Sequence, residues 1–158
     1  MTEVTVYALR GENIIDRVDI LHDAGKAINP ALELGQLEGG FVQGQGWLTT
    51  EEVKWNANGQ ITTFSPSTYK IPSISDVPRK FNVEIFKQGK NKEKVVNKAK
   101  TTGEPPLMLA MSVFYAIKDA IASVGKYKII PILDAPATPE KILMSLKELK
   151  NRNNHNKN

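Results

Sequence analysis

Short segments in which apolar and polar residues alternate, bounded by turn-forming residues, predict β-strands along the first half of the chain and just beyond it. The first two segments are joined by a turn at residues 11–13. Two shorter segments flank the sequence Asn-Ala-Asn-Gly at residues 56–59, which is typical of a hairpin turn. We therefore expect strands that pair mostly as antiparallel hairpins. The segments cover residues 3–11, 13–23, 51–55, 60–64 and 81–87.

Longer segments carry the start and stop signals of helices. Asn29 and Thr138 are placed as N-caps, and each is followed by a proline at the first helical position. Gly125 is placed to end the helix between them. The predicted helices lie in segments 29–47, 105–124 and 136–150.

Together these elements predict an α+β fold in which two buried helices pack with the hairpins. The chain has 158 residues, enough to bury a core without disulfides or a structural metal. Residues 66–80 contain three prolines and predict an irregular connector. We expect one domain over residues 1–150 and a disordered polar tail over residues 151–158.

Glu104 stands between a glycine and two prolines, directly ahead of a helix that is apolar on every face. A helix of this kind is normally buried, which would bring Glu104 close to the interior. Pro105 and Pro106 stiffen the backbone, and a residue before proline favours an extended conformation. Gly103 permits close approach of another group. Two interpretations stay open, a positioned functional carboxylate and an acid that only complements the helix dipole.

The first predicted helix contains five glycines, each costing about 0.8–1 kcal/mol of helix propensity relative to alanine. Close approach of another backbone would compensate for that cost. Gln36, Gly40 and Gln43 are spaced to share one face. We favour amides turned inward toward a large polar ligand over tight packing with solvent-facing glutamines. A phosphate-binding loop is excluded, because the motif has neither the lysine nor the strand–glycine–helix order. The glycines are Gly35, Gly39, Gly40, Gly44 and Gly46.

The amino-acid composition further limits the kinds of functional site and partner to be expected. The chain has no cysteine and only two histidines, His22 and His155, so we expect no protein-ligated metal site. The net charge of +4 comes largely from residues 87–100 and the C-terminal segment, which lack interleaved aromatic residues. We interpret these lysines as solvated and expect no nucleic-acid partner. No apolar run reaches about 18 uncharged residues and no signal pattern opens the chain, so a soluble cytoplasmic protein is expected.

The order and spacing of four motifs resemble those of the molybdenum hydroxylase family. The motifs are DAGKAINPALELGQLEGGFVQGQGW, PSTYKIP, KTTGEPPLMLAMSVFYAIKDAI and DAPATPEKIL. The resemblance covers about residues 18–143 and points to the C-terminal portion of a molybdopterin-binding domain. Within the family, the second and fourth motifs favour xanthine dehydrogenases over aldehyde oxidases and carbon monoxide dehydrogenases.

The resemblance implies roles for two residues. Glu104 matches the family's catalytic glutamate, the general base beside molybdenum during hydroxylation of a purine such as xanthine or hypoxanthine. Gln36 matches a glutamine that contacts the molybdopterin cofactor, whereas Gln43 matches no assigned position. The pterin dithiolene holds the metal in this family, so no metal ligand is expected from this chain. The 2Fe-2S clusters and FAD are expected on other domains or subunits.

Two departures from the family pattern bear on function. Thr102 stands where the family usually has a small apolar residue such as valine. The chain is also much shorter than the family's molybdenum-binding region, whose other segments form most of the cofactor cage and orient the purine. We therefore expect the isolated chain to be inactive, whether it is a piece of a longer chain, a separately encoded subunit or the product of a decayed gene.

Two alternatives to the purine hydroxylase remain open. One is a non-catalytic fragment that acts only by associating with a partner. The other is a fragment of an aldehyde oxidase or a carbon monoxide dehydrogenase relative.

Overall fold

Three strands and four α-helices form the part of the chain that the computed structural model describes, residues 1–155. Two 3₁₀ turns, Ile74–Asp76 and Val96–Lys98, lie in the connections. The strands are β1 (Thr2–Val6), β2 (Asn13–His22) and β3 (Lys80–Ile85), and the helices are α1 (Pro30–Thr49), α2 (Pro105–Leu109), α3 (Met111–Val124) and α4 (Pro139–His155).

The sheet has the order β1-β2-β3 and confirms the α+β class. β1 and β2 form the predicted antiparallel hairpin, and Gly11 in their turn has a φ of 72°. β3 differs from the expected hairpin pairing because it runs parallel to β2. α1 and the proline-containing connector lie between these two strands in sequence, which gives the chain the length that a crossover between parallel strands requires.

The hairpin expected over residues 51–64 is reduced to its turn and one bridge. Asn56 Oδ1 accepts hydrogen bonds from the amides of Asn58 at 2.9 Å and Gln60 at 3.0 Å. Trp55 and Ile61 form a single antiparallel bridge. The turn chemistry was predicted correctly, but the short flanking segments form no strands.

α1 begins where its sequence signals predict. The Asn29 side chain accepts a hydrogen bond from the Leu32 amide at 3.3 Å, and Pro30 occupies the first helical position. Leu37 and Phe41 are fully buried, and the Phe41 ring lies 5.4 Å from that of Phe81 on β3. α1 is therefore anchored to the sheet along one face.

The segment predicted as one buried helix is two helices with one buried face. Hydrogen bonds from Ala110 N to Leu107 O and from Val113 N to Ala110 O tighten the chain between α2 and α3. Met108 and Met111 are 53% and 47% exposed, so burial on every face was wrong. By length and composition alone, Pro105–Val124 could cross a membrane. In this structure the buried face of this segment, away from Met108 and Met111, packs in the hydrophobic core.

The core lies between the sheet and helices α1, α3 and α4. α4 follows Thr138 as predicted and continues to His155, so it enters the segment 151–158 that was expected to be a tail. Residues 156–158 lie outside the described residues. The largest buried apolar side chains of the core are those of Val18, Phe41, Val113, Ile117, Ile121, Ile142, Leu146 and Leu149.

Candidate active site at the α1–α2 junction

The start of α2 rests on the glycine positions of α1. A methyl carbon at Gly40 would lie 3.2 Å from the Gly103 carbonyl oxygen and 3.2 Å from Pro106 Cβ. A methyl carbon at Gly44 would overlap the Leu107 carbonyl oxygen. The close backbone approach predicted from the sequence is confirmed at these positions. It fixes where the chain enters α2.

Gly46 has a different neighbour, the PSTYKIP motif. A methyl carbon there would lie 2.5 Å from Pro72 Cγ, and Tyr69 donates a hydrogen bond to Glu51 Oε2 at 2.6 Å. This motif therefore packs on the C-terminal end of α1. Gly35 and Gly39 have open space where a methyl group would be, so close approach does not explain them within the described residues.

Glu104 lies at the surface, at the N-cap position of α2. Its φ of −84° and ψ of −41° are helical, so the extended conformation expected before Pro105 is wrong. Its burial near the interior is also wrong, because Pro106 fills the contact with α1 instead. The carboxylate caps no amide of its own helix, and no partner for it lies within the described residues. An exposed, unpaired carboxylate is free to meet a group from outside this chain.

Gln36 and Gln43 are exposed on α1. They lie about one helical turn before and after Gly40. The predicted inward orientation of these amides is therefore wrong for this chain. Because Gly103 contacts Gly40 and Glu104 follows it directly, the structure brings the backbone of Glu104 to the part of α1 that lies between Gln36 and Gln43.

Gln45 is a buried residue that the sequence reasoning missed. Its Nε2 donates to the Asp76 carbonyl at 2.6 Å, while its Oε1 has no partner within the described residues. Gln45 follows Leu37 and Phe41 at intervals of four residues, a spacing that places all three on one helix face. That spacing could have identified it as the inward-facing amide of α1.

The loop ahead of Glu104 is joined by backbone contacts to the segment after β2. Gly25 and Ala99 form an antiparallel bridge. The Lys26 amide donates to the Lys98 carbonyl at 3.1 Å, and the Lys100 amide donates to the Ala24 carbonyl at 2.8 Å. The position of Glu104 is thus constrained from the loop side as well as from α1.

Comparison with known proteins shows the family of this chain. Residues 1–78 match the family model of the molybdopterin cofactor-binding domain. Over 154 residues the sequence is 44% identical to a xanthine dehydrogenase of Oryza sativa subsp. japonica, covering 90% of this chain. The chain belongs to the molybdenum hydroxylase family. The matched part makes up only 11% of the rice protein, so this chain spans about a tenth of that relative.

Two further similarities bear on substrate and fold. The chain is 48% identical over 125 residues to an indole-3-acetaldehyde oxidase of Arabidopsis thaliana, covering 79% of this chain and 9% of that protein. Its structure matches a quinoline 2-oxidoreductase from Pseudomonas putida 86 with a TM-score of 0.80 and 27% identity, covering 92% of this chain and 18% of that one. The fold is therefore that of molybdopterin-binding domains.

The family match supports molybdenum–molybdopterin as the cofactor, with 2Fe-2S and FAD on other domains in this family. Within residues 1–155, no group of three His, Cys, Asp or Glu side chains could hold a metal ion. The residues fit a cofactor whose organic part holds the metal. The exposed amide of Gln36 can hydrogen-bond a pterin, and the unpaired carboxylate of Glu104 can act as a base.

Proposed function

We propose that this chain contributes the general base, Glu104, and a cofactor contact, Gln36, to a xanthine dehydrogenase-type hydroxylase that acts on a purine. The observation that carries this proposal is the position of Glu104. Its carboxylate is exposed and has no partner within the described residues, and the Gly103–Gly40 contact fixes the adjoining backbone about one helical turn of α1 from Gln36. Such a carboxylate is available to a cofactor and substrate enclosed by other segments.

The chain's own residues perform two tasks in this reaction. A Glu104 carboxylate oxygen accepts a proton, and the two glycine contacts under α2 fix the backbone that carries this side chain. The Gln36 amide offers both a donor and an acceptor to the pterin, which can fix its orientation. Positioning of this kind is a major part of catalysis when the reacting groups must meet within hydrogen-bond distance.

The overall reaction balances as a hydroxylation by water. One C–H bond of the purine is broken, a C–O bond forms with the oxygen of water, and two protons and two electrons are released. When bound, the molybdenum cofactor would supply the oxygen-transfer chemistry and accept the two electrons, with 2Fe-2S and FAD on other domains as the further acceptors. Glu104 accepts one of the protons.

An aldehyde substrate is the second candidate, favoured by the 48% identity to the indole-3-acetaldehyde oxidase. The two functions are distinguished by assembling the chain with its molybdenum-binding, iron–sulfur and FAD partners and measuring kcat/KM for xanthine, hypoxanthine and indole-3-acetaldehyde. We expect the purines to be preferred. Turnover of the aldehyde without turnover of either purine would contradict the proposed substrate while leaving the proposed role of Glu104 intact.

A further inference from the structure

The end of β2 contacts the Glu104 loop through side chains for which the proposed function has no use. Asp23, the first residue after β2, pairs through Oδ2 with Lys100 Nζ at 2.5 Å. The other oxygen of Asp23 accepts a hydrogen bond from the Gly25 amide at 2.9 Å. One carboxylate therefore holds both the turn after β2 and the loop that leads to Glu104.

Asp23 also contacts a third segment. Gly89 follows β3, and a methyl group there would overlap the Asp23 Oδ1 atom. The Asp23 side chain thus lies where the ends of the parallel strands β2 and β3 meet the loop before α2. The Lys100 hydrogen bond lowers the pKa of the Asp23 carboxyl, and the Gly25 amide lowers it further.

A neighbouring contact fixes the same loop. His22 Nε2 lies 3.3 Å from the Thr101 carbonyl oxygen, a distance at which the ring N–H donates to the carbonyl. Beyond Thr101, only Thr102 and Gly103 separate this anchor from Glu104. The Gly103 carbonyl packs on Gly40, whereas a methyl group at Gly103 would have open space around it, so this short connection is packed on one side only.

We propose that Asp23 and Lys100 are a positioning pair that fastens the loop of residues 98–103 to the end of β2 and so holds Glu104 over α1. Both residues are assigned a positioning role, because their observed contacts are with each other and with the turn after β2. The catalytic consequence rests on the proposed function of Glu104, whereas the structural consequence does not.

The exposure of the pair separates this role from a general contribution to stability. The Lys100 and Asp23 side chains are 36% and 40% exposed, and half-exposed ion pairs contribute little to the free energy of unfolding. The backbone hydrogen bonds between the two segments also remain when the side chains are changed. Breaking the pair is therefore expected to loosen the loop locally and leave the melting temperature nearly unchanged.

The structural test uses the full chain. Backbone NMR order parameters are measured for the amides of residues 101–104 in the parent protein and in the Asp23→Asn and Lys100→Met variants. We expect a fall from about 0.85, typical of rigid backbone, toward about 0.6 in both variants. Lys100→Arg keeps the charge and is expected to retain most of the rigidity.

The Lys54→Met variant is the matched control. Lys54 Nζ pairs with Glu52 Oε2 at 3.0 Å in the segment after α1, so this variant also breaks one lysine–carboxylate pair. It is expected to leave residues 101–104 as rigid as in the parent protein. Order parameters in Asp23→Asn and Lys100→Met equal to those of this control would overturn the proposal.

The catalytic test uses the assembled, molybdenum-loaded enzyme. A looser loop misplaces the base without changing substrate binding, so kcat is expected to fall about tenfold or more in Asp23→Asn, with KM and molybdenum content unchanged. Recovery of kcat in Lys100→Arg relative to Lys100→Met supports the pair. A loosened loop with normal kcat overturns the catalytic consequence. If Glu104→Gln itself leaves turnover intact, the proposed function fails, and the NMR result still decides whether the pair fixes the loop.

Discussion

Gly40 and Gly103 meet backbone to backbone, with only 3.2 Å between the Gly103 carbonyl oxygen and the place of a methyl group on Gly40. The residue after Gly103 is the candidate base, and the residue one helical turn before Gly40 is the candidate cofactor contact. The two proposed functional residues are therefore linked through a backbone contact between their neighbours in sequence.

Glu104→Gln is expected to abolish hydroxylation in the assembled enzyme while the fold and cofactor content stay unchanged. Glutamine has nearly the same volume but cannot accept the proton, and a positioned general base contributes about 10²–10⁴-fold to the rate. Steady-state turnover and melting curves check this. Glu93→Gln, a change at another exposed glutamate, is the control. A Glu104→Gln enzyme that melts earlier but turns over normally would show that the acid only complements the helix dipole.

Gln36→Ala is expected to weaken retention of the cofactor in the assembled enzyme. Loss of one hydrogen bond corresponds to about 0.5–1.5 kcal/mol, or roughly twofold to just over tenfold in affinity. Molybdenum and pterin contents after extensive dialysis provide the measurement. Gln43→Ala removes a similarly exposed amide two turns along the same helix and is expected to have a smaller effect. Equal losses in the two variants would argue against a specific role of Gln36.

Gly44→Ala and Gly39→Ala are expected to change stability in opposite directions. A methyl group at Gly44 would overlap the Leu107 carbonyl oxygen and lie 2.8 Å from Ala110 Cβ, so we expect a loss of about 1–3 kcal/mol. At Gly39 the methyl group meets open space, and alanine raises helix propensity by about 0.8–1 kcal/mol. Urea unfolding of the isolated chain measures both. Stabilisation by Gly44→Ala would contradict the packing of α2 on α1.

Asp76 is expected to make the stability of the chain sensitive to acid. Burial raises its pKa, but hydrogen bonds from Lys70 and from the Ser73 amide and hydroxyl lower it more, so the net direction is downward. A carboxyl with a lowered pKa stabilises the fold at pH values above its ordinary, unfolded-state pKa of about 3.9. This stabilisation is lost as the pH falls through the folded-state pKa.

Melting curves between pH 7 and pH 2 test this expectation with Asp76→Asn. At pH 7 the variant is expected to be less stable by about 1–2 kcal/mol, because it loses charge-assisted hydrogen bonds. The difference from the parent protein should shrink below about pH 4. A difference that stays constant down to pH 2 would contradict the role of the Asp76 charge.

The isolated chain is expected to bind a hydrophobic dye or to self-associate. Leu32 and Trp47 on α1 are 68% and 53% exposed, and Met108 and Met111 near the start of α3 are about half exposed. Exposed apolar side chains in this number are typical of surfaces that another protein segment covers. Dye fluorescence and sedimentation velocity measure the two effects. A strictly monomeric chain without dye binding would contradict this expectation.

Local signals in the sequence predicted local structure well. Asn29 and Pro30 identified the start of α1, and Thr138 identified the start of α4, because capping depends only on a few adjacent residues. The glycines of α1 indicated close approach of another backbone, which the structure confirms at Gly40 and Gly44. Capping and helix-propensity arguments therefore sufficed for these features.

Other features depend on contacts that periodicity does not specify. The parallel pairing of β3 with β2 joins strands far apart in sequence. The apolar pattern of residues 105–124 did not reveal which face this chain buries. The local preference of a residue before proline was overridden at Glu104, which takes a helical conformation. The roles of Glu104 and Gln36 came from the family resemblance and stay predictions.

The contacts that fix the position of Glu104 also bear on the stage of folding at which this residue becomes ordered. Lys100 and Asp23 are 77 positions apart in sequence, and His22 and Thr101 are 79 apart. Contacts of such long range close late during folding, because loop-closure entropy opposes them until intervening elements have formed. We therefore expect the proposed site to be among the last parts of the chain to become organised, and a cofactor that uses Glu104 and Gln36 together to meet them only in the folded chain.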